Sequence, residues 1–429
     1  MSEIRFGFAD NVITPELNGN FLDGYGFRLS PAESIRDDLH AKAMAVLSGD
    51  VTHLIFSIDL IGLTEYTYGL VAGNISAGTG VPKERIALSF IHTHSAPAVG
   101  TLADVSVNMD YIAYVADRCI DAAKRAVSRA VPCSVMTAVL PEELKHIKNR
   151  RGRDPIDRRI KAAAFRDADG ELKGVICSAS CHAVINTKPA VSADWLSVLN
   201  RVSTDGVPYL FLQGRGADIN PTMGEDLDDE TLIETLGSEL ADPVVSFAHS
   251  GSGEGFKPAE GKVRSLYEYV TVPMKPLVDM SAMDAKIKAA ENEYFSAADP
   301  VDRHFALREL QYQRQRREMQ RKGETQDLTV PMQYFAIGDS LLFCFVPFEM
   351  MTLVGDHIEE SAVSKGWRAD QIYALGYSNY VNGYLSSKEE FPFGGYEVSG
   401  AAHWYGVSET CAESADAVIG WFDKNLAKR

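Results

Sequence analysis

The sequence predicts an α/β fold: mixed sheets with flanking helices and one inserted helical hairpin. Short apolar runs alternate with amphipathic stretches along most of the chain. Twice, two apolar runs meet across a two-residue Gly-Asp turn, a hairpin signal that puts antiparallel pairs among crossover connections. Residues 278–323 then switch to long polar helical stretches.

In chain order, Ala43–Leu47 and Thr52–Asp59 form the first predicted hairpin around Gly49-Asp50, and a helix-like stretch covers 64–76. The apolar run Ile86–Ile91 reads as a strand. Residues 109–130 place Ile112, Val115, Ile120, Ala123 and Val127 on a helical period. Strands are expected at Ser134–Leu140, Ile160–Phe165, Val175–Ser180 and Tyr209–Leu212, with Asp167–Gly170 as a tight turn. An amphipathic helix follows at 231–250, then a flexible Gly/Ser break at 250–255. Met280–Tyr294 and Pro300–Gly323 make the helical hairpin. Its Arg308, Arg314, Arg316, Arg317 and Arg321 interleave with Glu309, Glu318 and Glu324, so a solvated face or an oligomer contact is expected rather than a nucleic-acid helix. Val330–Ile337 and Ser340–Phe345 form the second Gly-Asp hairpin, and Cys411–Asn425 is the last helix. The chain divides into the main part of an α/β catalytic domain (1–265), a helical insertion (266–326), and the remainder with glycine- and aromatic-rich loops (327–429).

A hydrophobic share of 45% and a charged share of 24% are ordinary for a globular chain of 429 residues. The net charge of -17 and the lack of a basic stripe argue against a nucleic-acid partner. The start, Met1-Ser2-Glu3-Ile4-Arg5, has no basic region leading into an apolar core, and no run is long enough to span a bilayer. A cytoplasmic protein without integral membrane association is expected. The six scattered cysteines then read as buried free thiols.

The strongest chemical signal is Phe90-Ile91-His92-Thr93-His94-Ser95-Ala96-Pro97. On an extended backbone, residues i and i+2 share a side, so both imidazoles can reach one metal at a strand end. His182 ends the apolar run Val175–Cys181. Glu349 follows Leu341–Phe348, and a buried carboxylate there needs a metal, a cation or several donors. Asp218 lies in the glycine loop Gln213–Pro221, which lacks the lysine and spacing of a phosphate-binding loop.

These segments together resemble the catalytic domain of the neutral/alkaline ceramidase family. The resemblance covers most of the chain, from Ile13-Thr14-Pro15, Gly24-Tyr25-Gly26, Asp37–Ala43 and Ser57–Gly62 to its sharpest points: His92–Pro97, Cys181-His182, Gly216–Pro221, Phe348-Glu349 and Asn379–Tyr396. It implies a catalytic zinc (Zn2+) at strand ends, held by His92, His94, His182 and Glu349 with a tyrosine, Tyr384 or its competitor Tyr380. Three neutral imidazoles and a carboxylate suit zinc.

Three departures bear on the substrate. The family motif has a serine, proposed as nucleophile, where this chain has Asn220. An amide cannot be acylated there, so metal-bound water becomes the expected nucleophile. The family's C-terminal immunoglobulin-like domain and a secretion signal are not seen in these residues. The expected activity is therefore that of a zinc-dependent amidohydrolase cleaving a carboxamide bond in a small molecule, with Tyr384 and Asn220 steadying the oxyanion.

Asp218 has two open readings: orienting a ligand histidine or carrying a proton, against capping its own loop. Asp59 and Asp194 are further candidates to orient ligands. Arg150, Arg151 and Arg153 are either a solvated loop or a clamp for a polar or anionic substrate. The stretch Tyr377–Tyr405 reads as a pocket wall or lid whose glycines permit movement. Two other functions stay open: a zinc esterase or lactonase acting on an acylated metabolite, and a non-enzymatic metal- or ligand-binding protein. Homo-oligomer formation is likewise open.

Overall fold

The computed structural model describes residues 3–100, 107–203, 206–250 and 255–429. Most of the Gly/Ser break expected at 250–255, namely 251–254, lies outside them.

Three sheets carry the fold, and each follows the same plan. In the first, the order is Ile86–Phe90, Val51–Ile58, His40–Ser48, Ile4–Val12 and Val131–Pro132. In the second it is Tyr209–Phe211, Leu172–Ser178, Arg159–Arg166, Ser134–Glu143 and Lys257–Pro258. The third runs Ile372–Leu375, Leu341–Phe345, Leu328–Ile337 and Val263–Val272. The two leading strands of every sheet are parallel and the rest antiparallel. Each sheet is thus an antiparallel meander ending in one crossover. Both Gly-Asp turns close hairpins as expected: Ser48 faces Val51 and Ile337 faces Leu341, with Gly49 and Gly338 at positive φ (59° and 51°).

The side-chain alternation explains why so many strands read as continuous apolar runs. On His40–Ser48, Met44 and Val46 face one core while Ala41, Ala43, Ala45 and Leu47 face another. Leu341, Phe343 and Phe345 likewise share the first of these cores, with Leu342 and Cys344 on the opposite face. That shared core takes one face from each sheet, including Phe6, Phe8, Phe165, Ile176, Phe335 and Tyr373. The outer faces are covered by helices, among them Glu65–Thr79, Met109–Ser128 and Asp229–His249 over the first two sheets and Thr352–Ser364 and Ala412–Asn425 over the third. Strands buried on both faces lose the polar/apolar period.

The hairpin helices run Met280–Ser296 and Pro300–Lys322, capped by Asp279, Asp299 and Gly323. Residues 263–272, partly inside the stretch read as helical insertion, are instead an edge strand of the third sheet. Its exposed tyrosines and charges hid that pairing from the sequence. Ile4–Val12 and the crossover helix Thr352–Ser364 are also additions to the sequence reading. The six cysteines are free, five of them buried. Among the described residues no helix is long and apolar enough to cross a membrane.

Candidate metal centre

The parallel pairs bring their carboxyl ends together, and the loops leaving them build the site. His92 and His94 follow Ile86–Phe90; His182 follows Leu172–Ser178; Glu349 follows Leu341–Phe345. Crossover sheets place their binding residues at this end.

The histidines do not converge by strand alternation, as the i,i+2 spacing had implied. The strand stops at Phe90, and His92 has φ 62°, a left-handed value that a β-branched or bulky residue rarely adopts. Hydrogen bonds hold that turn. His92 N–H donates to Leu60 O (3.0 Å), His94 N–H to Ala183 O (3.0 Å), and Thr93 Oγ1 to Ser192 O (2.7 Å). The two rings meet at 78°. Gly24, at φ 108°, leaves room for His94: a Cβ there would fall 2.4 Å from the imidazole.

Ring nitrogens of His92, His94 and His182 lie within 4.8 Å of one another. His92 Nε2 is 3.4 Å from His94 Nε2 and 3.4 Å from Glu349 Oε2; His182 Nε2 is 3.0 Å from the same carboxylate oxygen. The Tyr384 hydroxyl stands 3.4 Å from His182 Nε2. On the far side of the rings, His92 Nδ1 lies 2.6 Å from Ile61 O and His182 Nδ1 lies 2.6 Å from Gly216 O. Those carbonyls require N–H at Nδ1, so both Nε2 atoms turn lone pairs inward. Two bare imidazole nitrogens and a carboxylate oxygen facing each other without a proton make a site that fits a cation. Burial supports the neutral rings, pushing His94 well below the usual histidine range and His182 down as well.

Glu349 and Tyr384 are neighbours because Glu349–Met350 and Tyr384–Leu385 pair as a short parallel ladder with those two residues in register. Burial pushes the Tyr384 phenol well above its usual value, so it stays a donor. Tyr380, the competing choice, points elsewhere: its ring packs on Tyr68 and its hydroxyl donates to Thr329 O (3.3 Å). The tyrosines that sequence reading left unassigned are Tyr377, whose ring centroid is 4.4 Å from that of His92, and Tyr405, whose hydroxyl donates to Glu349 Oε1. Both lie in the stretch read as a wall, but nothing in its spacing separates them from their neighbours.

Asp218 does not touch a ligand histidine; backbone carbonyls already hold the rings of His92 and His182. Its Oδ1 accepts from Thr352 N (2.9 Å) and Oγ1 (2.8 Å), and Oδ2 accepts from Asn149 Nδ2 (2.9 Å). It therefore caps another element, the Thr352–Ser364 helix, and pins the loop ahead of Arg150. Asp59 accepts from His40 N and Asn200, and Asp194 from the Asn186 and Trp195 amides; neither meets a ligand ring. Asn220 sits in Ile219–Pro221, paired with Ile147–Asn149, and its buried Oδ1 has no partner.

The arginine loop divides. Arg151 pairs with Glu397 (2.7 Å) and Glu390 (3.1 Å), and Arg153 pairs with Glu390 while its guanidinium covers the Phe393 ring at 3.6 Å. These two are engaged by the protein's own carboxylates and are not available as a substrate clamp. They tie down the segment around Phe391–Gly400, where Gly395 (φ 100°) passes Arg151 so closely that a Cβ would lie 3.0 Å from Nη1. Arg150 is different. Its Nε bonds Glu397 Oε1 (2.5 Å), its guanidinium lies 5.0 Å from the Tyr384 ring and 5.2 Å from that of Tyr396, and its buried Nη2 has no hydrogen-bond partner.

No protein-family model matches the chain, and no curated protein matches its sequence. Solved structures do. The neutral ceramidase of Pseudomonas aeruginosa superposes with a TM-score of 0.73 at 16% identity, over 100% of this chain and 76% of that one. A ceramidase complexed with C2 gives 0.73 at 17% identity with the same coverage. The chain has a ceramidase-like fold over its whole length.

Proposed function

We propose that this chain is a zinc-dependent hydrolase that cleaves a carboxamide bond in a small molecule. One observation carries the reading: three imidazoles, one carboxylate and one phenol converge on a single buried point, with the lone pairs of His92 and His182 turned inward. His92, His94, His182 and Glu349 would hold the zinc, with Tyr384 beside it. When bound, the ion would supply Lewis acidity, polarising a carbonyl and lowering the pKa of water toward ~7.

The remaining work falls to this chain's residues. The carbonyls of Ile61 and Gly216 fix the imidazole tautomers. Tyr405 occupies Glu349 Oε1 and so leaves Oε2 toward the cluster. The Tyr384 O–H, kept protonated by burial, donates to the carbonyl oxygen as charge builds on it. Asn220 cannot be acylated, which leaves water as the nucleophile. The near-complete burial of His92, His182 and Glu349 excludes bulk solvent from the reacting bond. The ceramidase-like fold supports amide over ester as the scissile bond.

Metal analysis and hydrolysis of paired amides and esters test this. Wild type is expected to carry one zinc and to turn over amides; His182→Ala should lose both. Tyr384→Phe should keep its zinc and lose ~10²–10³-fold in kcat. Stoichiometric zinc with no amide turnover, or turnover of esters alone, would overturn it.

A further inference from the structure

Two buried nitrogens of the arginine loop lack a hydrogen-bond partner among the described residues, Arg151 Nε and Arg150 Nη2; Arg151 Nε still faces a Glu390 oxygen at 3.1 Å. The loop's three guanidiniums share two carboxylates: Glu397 bridges Arg150 and Arg151, and Glu390 bridges Arg151 and Arg153. Beyond Glu397, the carboxylate whose charge reaches Arg150 is Glu349, and its oxygens already face His92, His182 and Tyr405. A donor of a charged group left dry and unpaired is costly, and a carboxylate is the group whose geometry completes a guanidinium fork. The place matters as much as the vacancy. Arg150 lies over the ring of Tyr384, whose hydroxyl reaches His182, and Tyr396 packs edge-on to Tyr384 beside the same guanidinium.

Resting on the hydrolase reading, we propose that the amide cleaved here carries a carboxylate, and that Arg150 Nη2 receives it beside Tyr384. Arg151 and Arg153 hold Glu390 and Glu397 and thereby keep Arg150 in place. Two substrate types present that chemistry: an acylated amino acid, with the acid on the amine half, and a half-amide of a dicarboxylic acid, with it on the acyl half.

The test compares N-benzoylglycine with N-benzoylethanolamine, and succinic acid monoanilide with butyranilide, on the full chain. Dissociation constants come from calorimetry and KM and kcat from hydrolysis. Wild type should bind one of the two acids about 10- to 100-fold more tightly than its neutral partner, and whichever acid shows it locates the carboxylate. Arg150→Gln should erase that preference while neutral amides keep their affinity, and Arg150→Lys should restore part of it. Acid and neutral amides bound equally by wild type would refute the inference and leave the hydrolase reading standing. So would an equal loss of kcat on both in Arg150→Gln, which would assign Arg150 to the reacting carbonyl. Preferential binding of an acid without hydrolysis of any amide would instead refute the hydrolase and keep the carboxylate site.

Discussion

Two regions of this protein are rich in arginine, and they differ in everything but composition. In the loop at 150–153, Arg151 is 8% exposed at its side chain and its partners Glu390 and Glu397 are 6% and 4% exposed. The Arg151–Glu397 contact joins residues 246 positions apart. On the Pro300–Lys322 helix, Arg314, Arg317 and Arg321 are 41% to 60% exposed and pair within the hairpin, with Glu291, Asp284 and Glu318. The other face of that helix departs from the solvated reading: Arg308 and Arg316 are buried, and Arg308 donates to His403 O, which ties the hairpin to the segment over the site. Residue type sets what an ion pair can do; burial sets what it is worth.

The largest effect expected from this contrast is that of Arg151→Ala. It takes from Glu390 and Glu397 one of the two guanidinium partners each has, and should cost about 1.5–3 kcal/mol in urea unfolding; a loss below about 1 kcal/mol would put the loop in the same class as the hairpin. Next comes Tyr405→Phe, which takes the donor from Glu349 Oε1 inside the site. Orienting contacts of this kind are worth about 10- to 100-fold in metal affinity, read by competition with a zinc chelator, and unchanged affinity would show that Glu349 needs no orienting partner.

A third effect follows from pH. Burial would raise the Glu397 carboxyl, yet Arg150 and Arg151 hold it below its usual value. A depressed folded pKa contributes stability that is present above the unfolded value of about 4.3 and is lost as pH falls through the folded one. Wild type should therefore lose stability more steeply than Glu397→Gln between about pH 5 and 2, and parallel acid profiles would count against the pair. The smallest effect is that of Arg317→Ala on the open face of the hairpin, expected to leave the urea midpoint at that of wild type; a cost near that of Arg151→Ala would erase the contrast.

The same distinction separates what was legible in the chain from what was not. His92, His94, His182 and Glu349 stand out because each polar group ends an apolar run, and a chain rarely spends a buried strand on leading to an unpaired charge. The hairpins were legible for a local reason too, since Gly49 and Gly338 occupy positive φ in turns of two and three residues. The readings of Asp218, Tyr380, Arg151 and Arg153 stayed open in the sequence because their partners come from elsewhere. Thr352 is 134 residues from Asp218, and Thr329 is 51 residues from Tyr380. Tyr377 and Tyr405 were two aromatics among many until the fold placed one against His92 and the other on Glu349.

The sequence by itself determined the α/β class, the turns, and which side chains have the chemistry to gather around an ion. Those are local properties of backbone sterics, apolar patterning and ligand type. Only the tertiary structure decided how His92 turns toward His94, which tyrosine reaches the cluster, and which arginine keeps a free nitrogen. Each of those depends on groups distant in the chain, and no spacing along it encodes the distance between the ends of three different sheets.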